Sequence, residues 1–353
     1  MAGARIDWID YAKGLCIILL VVMQSATGYA GLAGSAGWMQ GLAHWASPFT
    51  LPALFLISGF FLNRTLFGSK SIFFDRKILR FAYFYAIWLV IHTAFFQADL
   101  LFSQPLDVAA AFGRAWVDPV ASLWVIPMLA IFHMLTWLMR FVPIVRILGA
   151  AAALQILHSA GFVTTGWTVL DRFAELYVFF FAGYAGMAVI QRYAKALSEG
   201  FSDVPAALLV WAAINTALVT QGTAGLPVVS LILGFAGAFA VLGLATQLSR
   251  KNVLGAIRYA GQRYLVIYLT SFLPMVAMQI LLVRSGFTLE AGLATLAVTL
   301  VAILTPLALH RAIRLTPMMA LYRRPPAFRL KTVRQQYAGG LIATSPEKSP
   351  EGA

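Results

Sequence analysis

The sequence predicts an all-helical membrane protein, a bundle of about ten transmembrane helices with both termini on the cytoplasmic side. Of its 353 residues, 61% are hydrophobic and only 11% are charged, whereas soluble domains carry about 25% charged residues. Apolar segments of about 20 residues, the length that crosses a bilayer, recur through the chain. These segments are continuous rather than alternating, which favours a helical bundle over a β-barrel.

Ten apolar segments are predicted to be the transmembrane helices. Several contain proline or glycine, which a bundle tolerates because neighbouring helices satisfy the freed backbone groups. The fifth segment is the least regular, since Pro143 and His158 limit its length. In chain order the segments are residues 14–32, 46–63, 79–97, 120–139, 144–160, 173–191, 204–220, 225–247, 263–283 and 291–310.

The loops between these segments carry basic residues almost entirely on one side of the membrane. Of the 26 lysines and arginines, all but Arg114, Arg172 and Arg284 fall on the side of the termini. Because cytoplasmic loops carry an excess of Lys and Arg, this asymmetry predicts that both termini are cytoplasmic. The same topology explains the net charge of +13, so nucleic acid is not predicted as a partner.

The chain is expected to divide into a membrane domain, residues 1–322, and a tail, residues 323–353. The tail is basic and rich in Pro, Gly and Ser, a composition typical of disordered segments. It is predicted to be cytoplasmic, with its basic half against anionic lipid headgroups. The single cysteine, Cys16, cannot form a disulfide within the chain, and no HExxH, CxxC or Gly-rich nucleotide motif is present. No metal is therefore predicted.

Lys13 lies just before the first segment, at the mouth of the predicted helix, and Gln24 lies near the middle of the segment. At about 100° per residue they return to nearly the same helix face, about 16 Å apart along the axis. A polar residue at membrane depth indicates a functional site by default, so this stripe predicts a passage beside the first helix. Taken alone, Lys13 also fits the positive-inside rule, and Gln24 fits a hydrogen bond to a neighbouring helix.

Six stretches spread over residues 5–310 carry a recognisable pattern. They read RIDWIDYAKG (5–14), PFTLPALFLISGFFLNR (48–64), DRKILRFAYFYAIWL (75–89), SLWVIPMLAIF (122–132), RFAELYVFFFAGY (172–184) and AGQRYLVIYLTSFLPM (260–275). In this order, and with the spacing between Lys13 and Gln24, they resemble the acyltransferase 3 family of integral membrane enzymes. The second stretch is similar to the family's Phe-Arg-x-Pro followed by Phe-x-Ile-Ser-Gly.

The resemblance implies a multi-pass enzyme of the cytoplasmic (inner) membrane that transfers an acyl group, and the expected group is acetyl. The implied donor is an acyl-CoA such as acetyl-CoA, used as a co-substrate, and no bound cofactor is expected. The implied acceptor is a carbohydrate or glycolipid outside the cytoplasm, and membrane lipids are the remaining expected partners. Carried over by position, Lys13, Thr50 and Trp124 fall on donor-binding positions and Gln24 on that of the catalytic base.

Four positions depart from the family pattern. Gln24 stands where the family has a histidine, and Thr50 where it has an arginine. Val125 and Pro127 replace two aromatic residues after Trp124. A glutamine cannot act as a proton acceptor near neutral pH, and loss of a general base lowers a rate by roughly 10²–10⁴-fold. The departures predict either impaired catalysis or a different base.

Four further residues are predicted to contribute to the site. Glu175 is placed to bind acceptor hydroxyls or relay a proton, or else to pair with Arg172 on the same helix face. Asp10 either complements the dipole of the first helix or orients the nearby lysine. Ser58 and Tyr177 lie in the family-like stretches and are included as supporting residues, although Ser58 fits close helix packing better than the role of a nucleophile.

The chain has five histidines as candidates for a replacement base. His92 and His133 lie within predicted helices, and His44 and His158 lie at predicted outer ends, where either could meet an acceptor. His310 lies at a cytoplasmic end, where snorkelling of its ring explains it. A histidine inside a bundle is also compatible with a purely structural hydrogen bond.

Two other classes of function compete with catalysis. A non-catalytic carrier or binding subunit on the same fold would explain the loss of the base at Gln24 and of the arginine at Thr50. An unrelated secondary transporter is disfavoured, because the predicted helices contain no paired charges and the chain shows no inverted repeat. Binding of coenzyme A distinguishes the enzyme from a carrier or scaffold that has no need of the nucleotide.

Overall fold

The computed structural model describes residues 7–119, 121–199, 203–285, 289–330 and 332–333, and the regular secondary structure in these ranges is all helical. The predicted all-helical class is therefore confirmed. The helices of seven or more residues are α1 (Asp7–Ala33), α2 (Trp38–Phe60), α3 (Arg80–Phe96), α4 (Pro105–Ala115), α5 (Val125–Leu138), α6 (Ile144–Ser159), α7 (Thr168–Ala185), α8 (Met187–Ser198), α9 (Val204–Thr220), α10 (Pro227–Lys251), α11 (Gly255–Gln262), α12 (Tyr264–Thr270), α13 (Phe272–Arg284) and α14 (Ala291–Ile313).

The described helices include four that are long and apolar enough to cross a membrane: Asp7–Ala33, Lys70–Phe96, Pro227–Lys251 and Ala291–Ile313. Two bent pairs, α7 with α8 at 72° and α12 with α13 at 47°, raise the number to six if each pair is one span. Every segment predicted from the sequence overlaps a helix. The predicted count of about ten spans, however, is not confirmed.

Length and polarity explain the lower count. α5, α6 and α9 are apolar but have only 14, 16 and 17 residues, whereas a span needs about 20. α2 has 23 residues, but it contains Pro48 and Pro52, and its first half carries Gln40 and His44. These residues lower its mean hydropathy without preventing it from being a helix.

The centre of the bundle is formed by α2, which packs against α1, α7 and α10. Two glycines allow α2 and α7 to approach at backbone distance. A Cβ atom at Gly59 of α2 would overlap the backbone carbonyl of Phe180, and one at Gly183 of α7 would overlap that of Leu56. Small residues at such contacts let membrane helices pack closely, so this pair sets the position of α7 relative to α2.

An aromatic cluster fills the space between α2, α5 and α7. The ring of Phe132 lies 5.2 Å from that of Phe55 and 5.3 Å from those of Tyr177 and Phe180, centroid to centroid. All four side chains are buried. Aromatic pairs at such distances add roughly 0.5–1.5 kcal/mol each beyond their area burial, so the cluster holds these three helices in a fixed arrangement.

A C-terminal segment, residues 317–330, packs on the π-helix Phe74–Leu79 that precedes α3. We call this segment the C-terminal strap. Arg324 and Asp75 form a buried ion pair, and an Nη atom of Arg324 also donates to the backbone carbonyl of Asp75 at 2.9 Å. The backbone N–H of Leu330 donates to the Asp75 carboxylate at 3.0 Å. The strap therefore holds the π-helix in place through Asp75.

The tail predicted to begin at residue 323 starts with residues of this strap. Arg324 is only 8% exposed, and the ring of Phe328 lies 5.3 Å from that of Tyr83 on α3. The packed chain thus continues beyond residue 323, the boundary predicted from composition. The reason is that Arg324, which composition assigns to the tail, forms a buried ion pair with Asp75. Residues 331 and 334–353 lie outside the described residues.

Candidate functional site

Lys13 lies in the wall of a cavity of about 210 Å³, at the end of the bundle where α1 begins and α2 ends. We call it the Lys13 cavity. Three further cations line it: Arg76 and Lys77 from the π-helix, and Arg80 from the first residue of α3. Four cationic side chains around a small cavity create a strongly positive potential. Such a cavity suits an anionic group, above all a phosphate.

The ammonium group of Lys13 is held by aromatic rings. Its Nζ lies 4.6 Å from the ring centroid of Phe61 and 4.9 Å from that of Tyr264, within the range of a cation–π interaction. Ser58 also lines the cavity, and its hydroxyl donates to the backbone carbonyl of Leu54 at 2.8 Å. The structure therefore brings two predicted site residues, Lys13 and Ser58, to the same cavity.

His133 of α5, one of the two histidines predicted to lie within helices as candidate bases, lines the same cavity. Its Nδ1 lies 2.6 Å from the backbone carbonyl of Leu129, four residues earlier. A carbonyl can only accept, so Nδ1 carries the proton and Nε2 has a free lone pair. Nε2 is buried and has no hydrogen-bond partner among the described residues. His133 is thus a wall residue of the Lys13 cavity whose Nε2 is available to accept a hydrogen bond.

Gln24 and Thr50, the two positions that depart from the family pattern, do not line the Lys13 cavity. Gln24 is half-buried on α1. Thr50 is fully buried, and its hydroxyl donates to the backbone carbonyl of Ala46 at 2.8 Å within α2. Neither side chain is therefore part of the wall that contains Lys13.

Trp124, Arg172 and Glu175 form a second group. An Nη atom of Arg172 lies 2.7 Å from a carboxylate oxygen of Glu175, and the guanidinium lies 5.2 Å from the ring centroid of Trp124. Arg172 and Glu175 remain partly exposed, at 41% and 35% of their side-chain areas. The pairing of Glu175 with Arg172, one of the two alternatives for this carboxylate, is thus observed.

Tyr177 and Asp10 occupy packed positions. The Tyr177 hydroxyl lies 3.0 Å from the hydroxyl of Thr136, and its ring stacks on that of Phe173 at 4.9 Å. Asp10 is 8% exposed and lies where α1 meets α11, with Gly261 packed against its backbone carbonyl. Neither residue lines the Lys13 cavity.

A second cavity, of about 390 Å³, borders the middle of α2. We call it the Glu175 cavity. It opens between α2, α6, α7 and the start of α10, with apolar walls that include Pro48, Pro52 and Phe179. Its polar lining consists of Ser47, Gln155, His158, Ser159, Glu175 and Ser230. Glu175 is the residue that the sequence predicted for an acceptor, and Gln24 does not line this cavity either.

Four of these polar residues, Ser47, Gln155, Ser159 and Ser230, were not singled out from the sequence. Gln155 of α6 donates through Nε2 to the hydroxyls of Ser159 and Ser230, both at 3.0 Å. Gln155 and Ser159 are four residues apart on one helix face, a signal that the sequence does contain. Ser230 comes from α10, 75 residues further along the chain, and no local pattern reveals that contact. No group of three or more His, Cys, Asp or Glu able to hold a metal occurs among the described residues.

Comparison with known proteins identifies the chain over most of its length. The family model described as an acyltransferase domain, that of the acyltransferase 3 family, matches residues 6–311. Searches among curated proteins and among solved structures gave no match. The matched range contains both cavities and ends before the C-terminal strap.

Proposed function

We propose, from the premise that the chain belongs to the acyltransferase 3 family, that it acts on an acyl-CoA donor and a carbohydrate acceptor. Membership in the family implies acyltransferase activity, and the family together with the apolar helices indicates a multi-pass membrane protein. The proposal adds the details. Acetyl is the first group to test, the donor binds from the cytoplasm, the acceptor is a carbohydrate or glycolipid on the far side, and the membrane is the cytoplasmic (inner) one.

The observation that carries the proposal is the Lys13 cavity. Coenzyme A presents several phosphate charges, and Lys13, Arg76, Lys77 and Arg80 surround the cavity with cations. Hydrogen bonds between such groups and phosphate are charge-assisted and stronger than neutral ones. We place this cavity on the cytoplasmic side, because the loops at this end carry the excess of basic residues. A donor that enters from the cytoplasm would meet these cations first.

The reaction needs two things beyond donor binding. A base must take the proton of the attacking hydroxyl, and hydrogen-bond donors or cations must stabilise the oxyanion that forms on the acyl carbonyl. Gln24 can donate hydrogen bonds to an oxyanion but cannot take up the proton. We therefore propose that this chain either transfers slowly or uses another residue as the base.

The proposal is tested by replacing Lys13. Purified protein in proteoliposomes is supplied with labelled acetyl-CoA, and transfer to lipid-linked or soluble hexosides is measured as a function of donor concentration. Lys13→Met is expected to raise the donor KM by roughly tenfold or more, because it removes one charge-assisted contact worth about 1.5–3 kcal/mol. Lys195→Met is the matched control, since Lys195 is 75% exposed and forms an exposed ion pair with Glu199 at 3.6 Å. An unchanged KM in Lys13→Met would contradict the assignment of the donor site.

A second candidate function is a non-catalytic binding subunit on the same fold. It is favoured by Gln24 in place of the base and by Thr50, whose hydroxyl is engaged within its own helix. Such a protein would release no free coenzyme A from acetyl-CoA in the presence of any hexoside, and Lys13→Met would leave its sugar or lipid binding unchanged. Donor-dependent release of coenzyme A would exclude this candidate.

A further inference from the structure

The Glu175 cavity has the size and the lining of a binding site for a small polar molecule. Its volume of about 390 Å³ falls in the range of about 300–1,000 Å³ typical of ligand pockets. Apolar surface comes from Pro48, Pro52 and Phe179, and the polar groups come from α2, α6, α7 and α10. A few convergent polar groups on an apolar wall suit a molecule with hydroxyl groups on an otherwise apolar ring.

Gln155 indicates which kind of ligand group the cavity binds. Its side chain is only 2% exposed, and its Nε2 is committed to the hydroxyls of Ser159 and Ser230. The amide oxygen, Oε1, is buried and accepts no hydrogen bond from the described residues. Buried polar atoms are rarely left without a partner. An unpaired acceptor in the wall of a cavity calls for a donor on the ligand, such as a hydroxyl.

His158 supplies a base in the same wall. Its Nδ1 lies 2.7 Å from the backbone carbonyl of Val163. Because that carbonyl can only accept, Nδ1 carries the proton, and Nε2 is left with the lone pair that a general base needs. The hydrogen bond also fixes the orientation of the ring. Backbone carbonyls often orient catalytic histidines in this way.

The other histidines do not line this cavity. His44 is exposed on the first half of α2. His92 is buried with its ring stacked 5.5 Å from that of Phe272. His133 lines the Lys13 cavity, and His310 lies in the last turn of α14.

The geometry points to the Glu175 cavity as the acceptor site, which takes a hydroxyl-bearing ring such as a hexopyranoside, with His158 as the general base in place of Gln24. Gln155 is a positioning residue that accepts a hydrogen bond from a second hydroxyl of the acceptor. This inference rests on the proposed acyl transfer and extends it to the acceptor.

The acceptor hydroxyl gives its proton to Nε2 of His158 as its oxygen attacks the carbonyl carbon of the acyl thioester. The carbon–sulfur bond then breaks, and its electron pair leaves on the sulfur. The proton passes from His158 to that thiolate, so the products are an acyl ester and free coenzyme A, with His158 neutral again.

The first experiment compares two histidine variants in proteoliposomes supplied with labelled acetyl-CoA and a panel of methyl hexopyranosides. His158→Gln is expected to lower the transfer rate by roughly 100-fold or more at saturating donor and to leave coenzyme A binding unchanged. His44→Gln, the matched control on α2, is expected to stay within about twofold of the wild type. Gln155→Leu is expected to raise the acceptor KM more than it lowers kcat. A wild-type rate in His158→Gln would overturn the assignment of the base.

The second experiment does not depend on turnover, so it separates failure of this inference from failure of the proposed function. Diethyl pyrocarbonate modifies neutral imidazoles, and the modification of each histidine is followed by peptide mass spectrometry. Methyl hexopyranosides are expected to slow the modification of His158 selectively and to leave that of His44 unchanged. If no hexopyranoside of the panel changes the rate at which His158 is modified, the assignment of the acceptor site is overturned, even if acyl transfer itself is observed.

Discussion

The sequence and the structure differ in where they place Gln24 relative to the site. The sequence places it on the stripe of Lys13, where the family has its base, but the structure places Lys13 in a cavity that Gln24 does not line. An amide at this position can pack and hydrogen-bond within the bundle without serving catalysis. If the base has moved to His158, the loss of the histidine at position 24 has little effect on turnover.

Gln24→His distinguishes a lost base from a replaced one. With His158 as the base, we expect Gln24→His to change the acetyl transfer rate by less than about threefold, because the new imidazole would not face the acceptor. In the His158→Gln background it should likewise fail to restore transfer. The measurement is transfer from labelled acetyl-CoA in proteoliposomes. A gain of roughly 10²-fold or more in Gln24→His would instead show that the chain is impaired by the loss of a base at this position.

Thr50 shows what residue-level reasoning can and cannot predict. The sequence identifies it as the position of a missing arginine, and this comparison needs no structure. It does not show that the side chain is fully buried and bonded to Ala46 within α2. Burial depends on which helices pack around α2, and those helices are distant in the sequence.

Among the structural elements, the π-helix Phe74–Leu79 connects the C-terminal strap to the Lys13 cavity. Its Asp75 is bound by Arg324 of the strap, and its neighbours Arg76 and Lys77 line the cavity. π-helical turns are rare and often occur at functional sites. The ion pair therefore stabilises the element that supplies half of the cations in the cavity.

Asp75→Ala is expected to destabilise the protein strongly, by about 3–5 kcal/mol, because it leaves Arg324 buried without its partner. The double variant Asp75→Leu with Arg324→Met should be markedly more stable than Asp75→Ala, since no charge is left unpaired. The measurement is the thermal midpoint of the detergent-solubilised protein. Lys195→Ala, which breaks an exposed pair, is the control and should change stability by less than about 1 kcal/mol. Equal midpoints for Asp75→Ala and Lys195→Ala would contradict the role of this pair.

The contact of α2 with α7 gives a second prediction at this scale. In Gly59→Ala the added methyl group would overlap the backbone carbonyl of Phe180, so we expect a loss of about 1–3 kcal/mol as the helices move apart. Gly41→Ala is the matched control on the same helix, because nothing lies within 4 Å of a Cβ placed there. It should be neutral or stabilising, since alanine favours helix over glycine by about 1 kcal/mol. Thermal midpoints in the same detergent decide between these outcomes.

For the elements, hydropathy predicts where helices lie, and every predicted segment overlaps one. It does not predict where a helix bends. The bend of 72° between α7 and α8 and that of 47° between α12 and α13 each divide one predicted segment, because local packing rather than composition decides the backbone path there. The Glu175 cavity was equally hidden, since Gln155 and Ser230 meet only in the folded bundle.

For the whole molecule, the distribution of basic residues predicts the orientation in the membrane, and cysteine labelling can test it. The native Cys16 is fully buried, so it contributes little background. We expect Gln221→Cys, in the exposed turn after α9, to react with a membrane-impermeant maleimide in intact cells. Ser198→Cys, at the exposed end of α8, should react only after permeabilisation. The reverse pattern would contradict the predicted orientation and the cytoplasmic position of the Lys13 cavity.

The most direct test of the central claim, that the Lys13 cavity binds the acyl-CoA donor through its phosphates, is calorimetric titration of the purified protein with coenzyme A and with pantetheine. Coenzyme A should bind, and its affinity should fall as salt screens the cations. Pantetheine, which lacks every phosphate, should bind at least roughly tenfold more weakly, because each lost charge-assisted contact costs about 1.5–3 kcal/mol. Equal affinity for the two compounds, or no binding of coenzyme A at low salt, would contradict the claim.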